Sequence, residues 1–163
     1  MKSIALIEPT SDFSMYNIIK MPLLGLLMLG TLLKKKGYEV RVFSERVRRI
    51  YDEKTLWINP DVLDSDVVGI SIMTATAMRG YRIADSLKQR NPRQHILFGG
   101  IHATFQPYEA LQHGDAVITG EGENIIIEAV ESKDNGCIFT GVPIDNLDIL
   151  PPTDMDLTKR SYL

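Results

Sequence analysis

Three short segments rich in glycine, serine and threonine could form the wall of a ligand site. They are residues 71–76 (Ser-Ile-Met-Thr-Ala-Thr), 99–104 (Gly-Gly-Ile-His-Ala-Thr) and 119–123 (Thr-Gly-Glu-Gly-Glu). Glycine lets the backbone approach a ligand closely, and hydroxyl groups add hydrogen bonds without bulk. Turns and helix caps use the same residue types. Three such segments at one edge nevertheless favour a site for a large, flat ligand with peripheral amides.

The sequence lacks the patterns that bind compact charged ligands. No Gly-Lys-[Ser/Thr] of a P-loop follows the first apolar run, and Gly120-Glu121-Gly122 is followed by Ile125 where a dinucleotide fingerprint needs glycine. Residues 10–14 carry hydroxyls but no glycine, which is a weak match to a flavodoxin-type phosphate loop. The single cysteine, Cys137, cannot form an internal disulfide or hold an iron–sulfur cluster alone.

The elements that position these segments alternate between strands and helices. Apolar runs predict strands at residues 3–7, 39–43, 66–72, 95–98 and 115–118, and helices at 22–36, 76–90, 107–112 and 122–131. This alternation predicts a doubly wound α/β domain: a five-stranded parallel sheet of order 2-1-3-4-5, flavodoxin-like or Rossmann-like, with helices on both faces. Residues 136–142 could add an edge strand, and residues 44–63 a short helix and a loop. Ligands of such sheets bind beyond the carboxyl ends of the strands.

Length and charge limit the partners that we expect. The 163 residues suggest one domain, residues 1–145, followed by a linker at 146–163 that contains Pro151-Pro152. The net charge of -3 disfavours a nucleic-acid partner. The most apolar stretch, residues 22–33, is too short to span a bilayer, and no secretory signal is visible. We therefore expect a cytoplasmic protein with neither a membrane nor a nucleic-acid partner.

Four motifs, in order along the chain, resemble the N-terminal cobalamin-binding domain of cobalamin-dependent radical S-adenosylmethionine (SAM) enzymes. They are Pro22-Leu23-Leu24-Gly25 at the start of a helix that leads to Gly37-Tyr38-Glu39-Val40, residues 67–76, the Gly-Gly-x-His-[Ala/Pro]-[Thr/Ser] pattern at 99–104, and Gly-Glu-Gly-Glu at 120–123. Each motif alone is weak, but the ordered set is specific. The resemblance covers about residues 3–156, and residues 147–154 are similar to the linker before the radical domain.

The resemblance implies that cobalamin lies over the carboxyl edge of the sheet. The corrin would rest on residues 71–76 and 99–104, and the nucleotide tail would insert between the sheet and the helices. The implied cofactor-binding residues are Pro22, Leu23, Gly25, Ser71, Met73, Thr74, Ala75, Thr76, Gly99, Gly100, His102, Ala103, Thr104, Gly120, Glu121 and Gly122. The implied partner is a radical SAM domain C-terminal to this chain, which would bind an iron–sulfur cluster and S-adenosylmethionine, in an enzyme of the methyltransferase type.

Two departures from the pattern sharpen this expectation. Cobalamin proteins often carry Asp-x-His-x-x-Gly after the first strand, and Ser14 stands here where the histidine would be. We therefore expect no cobalt ligand from that loop and a base-off, His-off cofactor. The Cys-x-x-x-Cys-x-x-Cys motif of the radical domain is missing, so we expect no catalytic residue and no catalysis by this chain alone.

Two other functions fit parts of the sequence. A flavodoxin-like protein-interaction domain without a cofactor would present the same edge to a protein partner. A small flavin- or nucleotide-binding enzyme would need a loop that grips phosphate, and that loop is missing. Among single residues, His102 could contact the ligand or only hydrogen-bond within its loop, and Met73 could pack under the corrin or fill the core.

Overall fold

The computed structural model describes residues 2–10 and 23–159, in which strands and helices alternate. In chain order the elements are β1 (Ser3–Glu8), α1 (Leu24–Lys35), β2 (Glu39–Ser44), β3 (Tyr51–Asp52), β4 (Trp57–Ile58), α2 (Pro60–Leu63), β5 (Val67–Ser71), α3 (Ala77–Arg90), β6 (His95–Gly99), α4 (Ile101–Phe105), α5 (Pro107–Ala110), β7 (Ala116–Thr119), α6 (Ile126–Glu131) and β8 (Cys137–Thr140). Short 3₁₀ turns cover Thr74–Thr76, Leu147–Ile149 and Met155–Thr158. No helix in this part of the chain is both long and apolar enough to cross a bilayer.

The main sheet is parallel, as the alternating elements predict. Within the described residues it has six strands in the order β2-β1-β5-β6-β7-β8, and β3 and β4 form a separate antiparallel hairpin. The parallel α/β class is confirmed, but the predicted count of five strands is wrong. The short strand β8 pairs in parallel with β7, with Cys137 opposite Ala116, and extends the predicted order by one strand. The side chains of β8 are only partly buried or exposed, so its apolar pattern is weaker than that of the inner strands.

Apolar side chains pack on both faces of the sheet. One core layer joins the sheet to α3 through Tyr81 and Leu87, and the other joins it to α1 and α6 through Leu27 and Val130. The inner strand β5 is buried from Val67 to Ile70 on both faces. A continuous apolar run of this kind is typical of a strand covered by helices on both sides.

A buried ion pair holds the segment after β2 against α3. Arg79 on α3 donates from Nε and Nη2 to the two carboxylate oxygens of Glu45, at 2.9 and 2.7 Å. Arg79 also donates to Glu53 Oε1 at 2.9 Å and to the carbonyl oxygen of Tyr51. Within residues 44–63, where the sequence predicts a short helix and a loop, the structure has the β3–β4 hairpin followed by α2.

Part of the segment predicted as a linker packs on the domain. The backbone N–H of Asp154 donates to Thr31 Oγ1 on α1 at 2.9 Å, and its carboxylate pairs with Lys34. Leu157 is 6% exposed and belongs to the core layer next to α1. A Cβ built on Gly30 would lie 2.9 Å from Leu157 Cδ1, so the glycine gives the leucine room to pack against the helix.

Candidate cofactor site

A cavity of about 230 Å³ opens between the sheet and helices α1 and α6. It lies where β5, β6 and β7 end, at the edge where ligands of open α/β sheets bind. Its wall is mostly apolar side chains and glycine backbone, as is common for a cofactor site. The described lining residues are Leu6, Leu23, Gly25, Leu26, Leu29, Gly69, Ile70, Ser71, Leu97, Phe98, Gly99, Gly100, Ile118, Gly120, Glu121, Gly122, Glu123 and Ile126.

The two glycines after β6 have different roles in this wall. Gly100 has a φ of 93°, and a Cβ there would lie 2.6 Å from the carbonyl oxygen of Ile72. The fold itself therefore requires glycine at position 100. At Gly99 a Cβ would meet nothing closer than 3.9 Å, and at Gly25 nothing within 4 Å. These two positions leave open space that a side chain would fill, so they fit a bulky ligand rather than a packed core.

The Gly-Glu-Gly-Glu segment is held from both sides. Its Gly120 has a φ of 73° and donates its N–H to Thr104 Oγ1 at 3.1 Å, which joins it to the segment after β6. The carboxylate of Glu121 accepts from the backbone N–H of Ile144 at 3.0 Å. Glu121 thus lines the cavity while one oxygen binds the chain beyond β8.

Charge in the cavity is low. Among the described lining residues, the ionisable side chains are Glu121 and Glu123, and none is basic. Compact polyanions such as nucleoside triphosphates need cationic or helix N-terminal contacts. The wall therefore suits a large ligand of low charge density.

His102 forms a polar bridge in what we call the rim of the cavity, the residues that follow the lining residues Ser71 and Gly100 along the chain. Its Nδ1 lies 3.2 Å from Thr74 Oγ1, and its Nε2 lies 3.4 Å from Glu109 Oε1. The side chain of His102 is 11% exposed, whereas Met73 and Ala75 beside Thr74 are exposed. The rim thus offers a fixed imidazole and accessible small or flexible groups to a ligand above it.

The structure divides the predicted cofactor residues into three groups. Those that line the cavity are Leu23, Gly25, Ser71, Gly99, Gly100, Gly120, Glu121 and Gly122. Those at its rim are Met73, Thr74, Ala75, His102 and Thr104. The side chains of Thr76 and Ala103 are buried at 4% and 0% exposure, and Thr76 Oγ1 accepts from Met73 N–H at 3.1 Å. Pro22 and the loop that contains Ser14 lie outside the described residues.

Sequence reasoning missed most of the apolar wall. Leu6, Leu26, Leu29, Leu97, Ile118 and Ile126 line the cavity, although their residue types are those of any core. Their one available signal is position: Ile118 lies near the end of its strand, and the leucines of α1 recur on one helix face. Glu123 also lines the cavity and belongs to the Gly-Glu-Gly-Glu motif, but it is not among the cofactor-binding residues that the resemblance implies.

The sequence matches the model of a known protein family. The family model described as "B12 binding domain" matches residues 20–130. The bacteriochlorophyllide d C-12(1)-methyltransferase of Chlorobaculum tepidum is 34% identical over 123 residues, which are 74% of this chain and 25% of the relative. The anaerobic magnesium-protoporphyrin IX monomethyl ester cyclase of Rubrivivax gelatinosus is 29% identical over 111 residues, which are 66% of this chain and 20% of the relative. The chain thus spans a quarter or less of the length of these relatives.

A solved structure shares the fold. The radical S-adenosylmethionine methyltransferase TsrM from Kitasatospora setae, with cobalamin and a [4Fe-4S] cluster bound, superposes with a TM-score of 0.60 at 20% identity. The match covers 80% of this chain and 26% of TsrM. At this identity the likeness concerns the fold.

Proposed function

Because this chain belongs to the B12-binding domain family, we propose that it is the cobalamin-binding module of a larger, methyltransferase-type radical SAM enzyme. Its cofactor is cobalamin, which supplies cobalt-centred methyl-transfer chemistry when bound. The observation that carries the proposal is the cavity between the sheet and helices α1 and α6, with open space beside Gly25 and Gly99. The four motifs that resemble the cobalamin-dependent radical SAM enzymes support the larger assignment.

The residues fit different parts of the cofactor. The apolar cavity would take the nucleotide tail, because it is low in charge and bordered by glycine backbone. The corrin would lie over the exposed rim at Met73, Thr74 and Ala75, with His102 beside it. The protein would bind and orient the cofactor and keep water from the tail, while substrate chemistry would need the rest of the enzyme.

A substitution that fills the cavity tests whether cobalamin binds there. We expect the chain to retain about one hydroxocobalamin per molecule after desalting, seen as a corrin absorption spectrum. Gly99→Leu should lower the affinity at least about tenfold, because the added side chain occupies the space the tail needs. Gln112→Leu adds the same apolar side chain at an exposed position away from the cavity and is the matched control.

Two outcomes would contradict the proposal. A folded wild-type chain that comes off the column colourless would favour the alternative, a protein-interaction domain without cofactor. Equal affinity of Gly99→Leu and Gln112→Leu would place the cofactor elsewhere. Thermal unfolding of both variants distinguishes a blocked cavity from a damaged fold.

We further propose that the cofactor binds base-off and His-off. Support comes from Ser14, which stands where cobalamin proteins often carry a histidine. Electron paramagnetic resonance of the bound cob(II)alamin should then show no nitrogen superhyperfine splitting on the cobalt lines. Such splitting would indicate a nitrogen ligand and refute this part of the proposal.

The domain boundary is also a proposal. Residues 1–145 would form the cofactor domain, and residues 146–163, in which Asp154 and Leu157 pack on that domain, would lead to a radical SAM domain. The coding sequence downstream of residue 163 is then expected to encode a Cys-x-x-x-Cys-x-x-Cys motif. A protein that ends without such a motif would contradict the assignment to a radical enzyme but leave cobalamin binding intact.

A further inference from the structure

Three polar side chains form a connected line along the rim of the cavity. Glu109 on α5 lies 3.4 Å from His102 Nε2, and Thr74 Oγ1 lies 3.2 Å from His102 Nδ1. The three residues come from different elements: α5, α4 and the 3₁₀ turn after β5. Glu109 itself is not among the residues that line the cavity.

The imidazole in the middle of this line is held in place by packing. The His102 side chain is 11% exposed, and the ring of Tyr81 lies 6.4 Å from it, centroid to centroid. Tyr81 stacks on His113 at 4.3 Å and meets Phe98 edge-on at 5.4 Å, so packed rings lie behind His102. The two ring nitrogens of His102 lie near separate partners.

The chemistry of the two partners selects one form of the ring. A neutral imidazole donates from one nitrogen and accepts at the other. The Glu109 carboxylate can only accept, so the proton belongs on Nε2, and Nδ1 is left to accept the hydroxyl hydrogen of Thr74. The oxygen lone pairs of Thr74 then remain available on the exposed rim.

We propose that Glu109 is a positioning residue that makes Thr74 a hydrogen-bond acceptor toward the ligand. It acts through His102, by fixing the Nε2–H tautomer. The group that Thr74 would accept from is a primary amide N–H at the margin of the corrin. The ligand part of this inference rests on the proposed cobalamin function, whereas the tautomer is a property of the chain itself.

The tautomer can be measured without any cofactor. Nitrogen-15 NMR of histidine-labelled protein separates Nε2–H from Nδ1–H rings, and we expect His102 in the Nε2–H form. Glu109→Ala should shift the tautomer ratio of His102 toward Nδ1–H and leave that of His113, which contacts Asp85 at 2.9 Å, unchanged. An Nδ1–H ring at His102 in the wild type, or a tautomer ratio that is unchanged in Glu109→Ala, would overturn the proposal.

A double-mutant cycle tests the effect on the ligand. Thr74→Val and Glu109→Ala should each weaken binding of hydroxocobalamin about three- to tenfold, the effect of one hydrogen bond. If Glu109 acts through Thr74, adding Glu109→Ala to Thr74→Val should cause no further loss. Glu128→Ala, at an exposed position on α6, is the control and should bind like the wild type.

The outcomes separate this inference from the function on which it rests. Additive losses in the double variant, or an unaltered affinity of Thr74→Val, would overturn the relay while cobalamin binding stands. A wild type that binds no hydroxocobalamin would overturn the proposed function, and the NMR measurement would still decide the tautomer.

Discussion

Removing Arg79 should destabilise the domain more than any substitution of an exposed charge. In Arg79→Ala the carboxylate of Glu45 stays buried, with a side-chain exposure of 0%, and loses both hydrogen bonds to the guanidinium. Two further contacts of this carboxylate are longer: Ile50 N–H at 3.2 Å and Thr10 N–H at 3.4 Å. A buried charge that loses its partner typically costs about 3–5 kcal/mol of unfolding free energy.

The same helix offers a matched control. Arg82, three residues along α3, is 57% exposed and contacts Glu53 at 3.3 Å. An exposed pair of this kind contributes about 0–1 kcal/mol, so Arg82→Ala should change stability little. Both variants replace arginine by alanine on the same helix, so a difference between their free energies of unfolding reports the effect of burying the ion pair.

Urea denaturation followed by circular dichroism measures both variants. We expect a fall of about 3–5 kcal/mol for Arg79→Ala, or about 6–20 °C in Tm for a domain of this size. The neutral variant Glu45→Gln with Arg79→Met should recover part of the loss, since it leaves no buried charge. If Arg79→Ala and Arg82→Ala lower stability equally, burial of the pair is not what stabilises this region.

Three further substitutions test the fold. Burial lowers the pKa of His95 below its usual value, although the Asp115 carboxylate opposes this. Because the pKa is lower in the folded state, the unfolded chain binds the proton first as the pH falls. The free energy of unfolding should therefore decrease as the pH drops below about 6.5. In urea titrations from pH 7 to pH 5, His95→Gln should reduce that slope, and an unchanged slope would contradict the assignment. Gly80→Ala places a Cβ 2.5 Å from Ile72 Cγ2 and should lower the free energy of unfolding by about 1–3 kcal/mol, despite the better helix propensity of alanine. A variant that is more stable in urea would mean that α3 can move away from the sheet. Leu157→Ala should lower the free energy of unfolding by about 2–4 kcal/mol because the Leu157 side chain is buried. Leu147 is 66% exposed, so Leu147→Ala should have little effect. Equal losses of the two variants in thermal unfolding would show that the segment around Leu157 does not pack on the domain in solution.

The inner strands and the first helix of the fold can be predicted from the local sequence. The run from Val67 to Ile70 is apolar and β-branched with one glycine, and it forms part of a strand buried on both faces. Gly37, which has a φ of 99°, follows α1 closely, as its place in the sequence predicts. Such elements depend mainly on their own residues, so a single sequence predicts them.

The elements at the edges of the fold, the β3–β4 hairpin and strand β8, are harder to predict from the local sequence. The β3–β4 hairpin has two residues in each strand, too few for any periodic pattern. It is held by contacts from Arg79 on α3 to Tyr51 and Glu53. Strand β8 lies within residues 136–142, where the sequence allows an edge strand, but its pairing depends on the free edge of β7, which only the assembled sheet provides. Contacts between residues far apart in sequence decided both elements.

The sequence by itself determined which segments meet at the site, because parallel strands end at the same edge of their sheet. Tertiary structure decided which side chains face the ligand. Thr76 and Ala103 turn into the protein, while Thr74 stays at the rim beside His102. Glu121 is engaged by Ile144, a residue 23 positions away along the chain. A glycine or threonine in a turn can point to either side, and only the packing of neighbouring elements selects one.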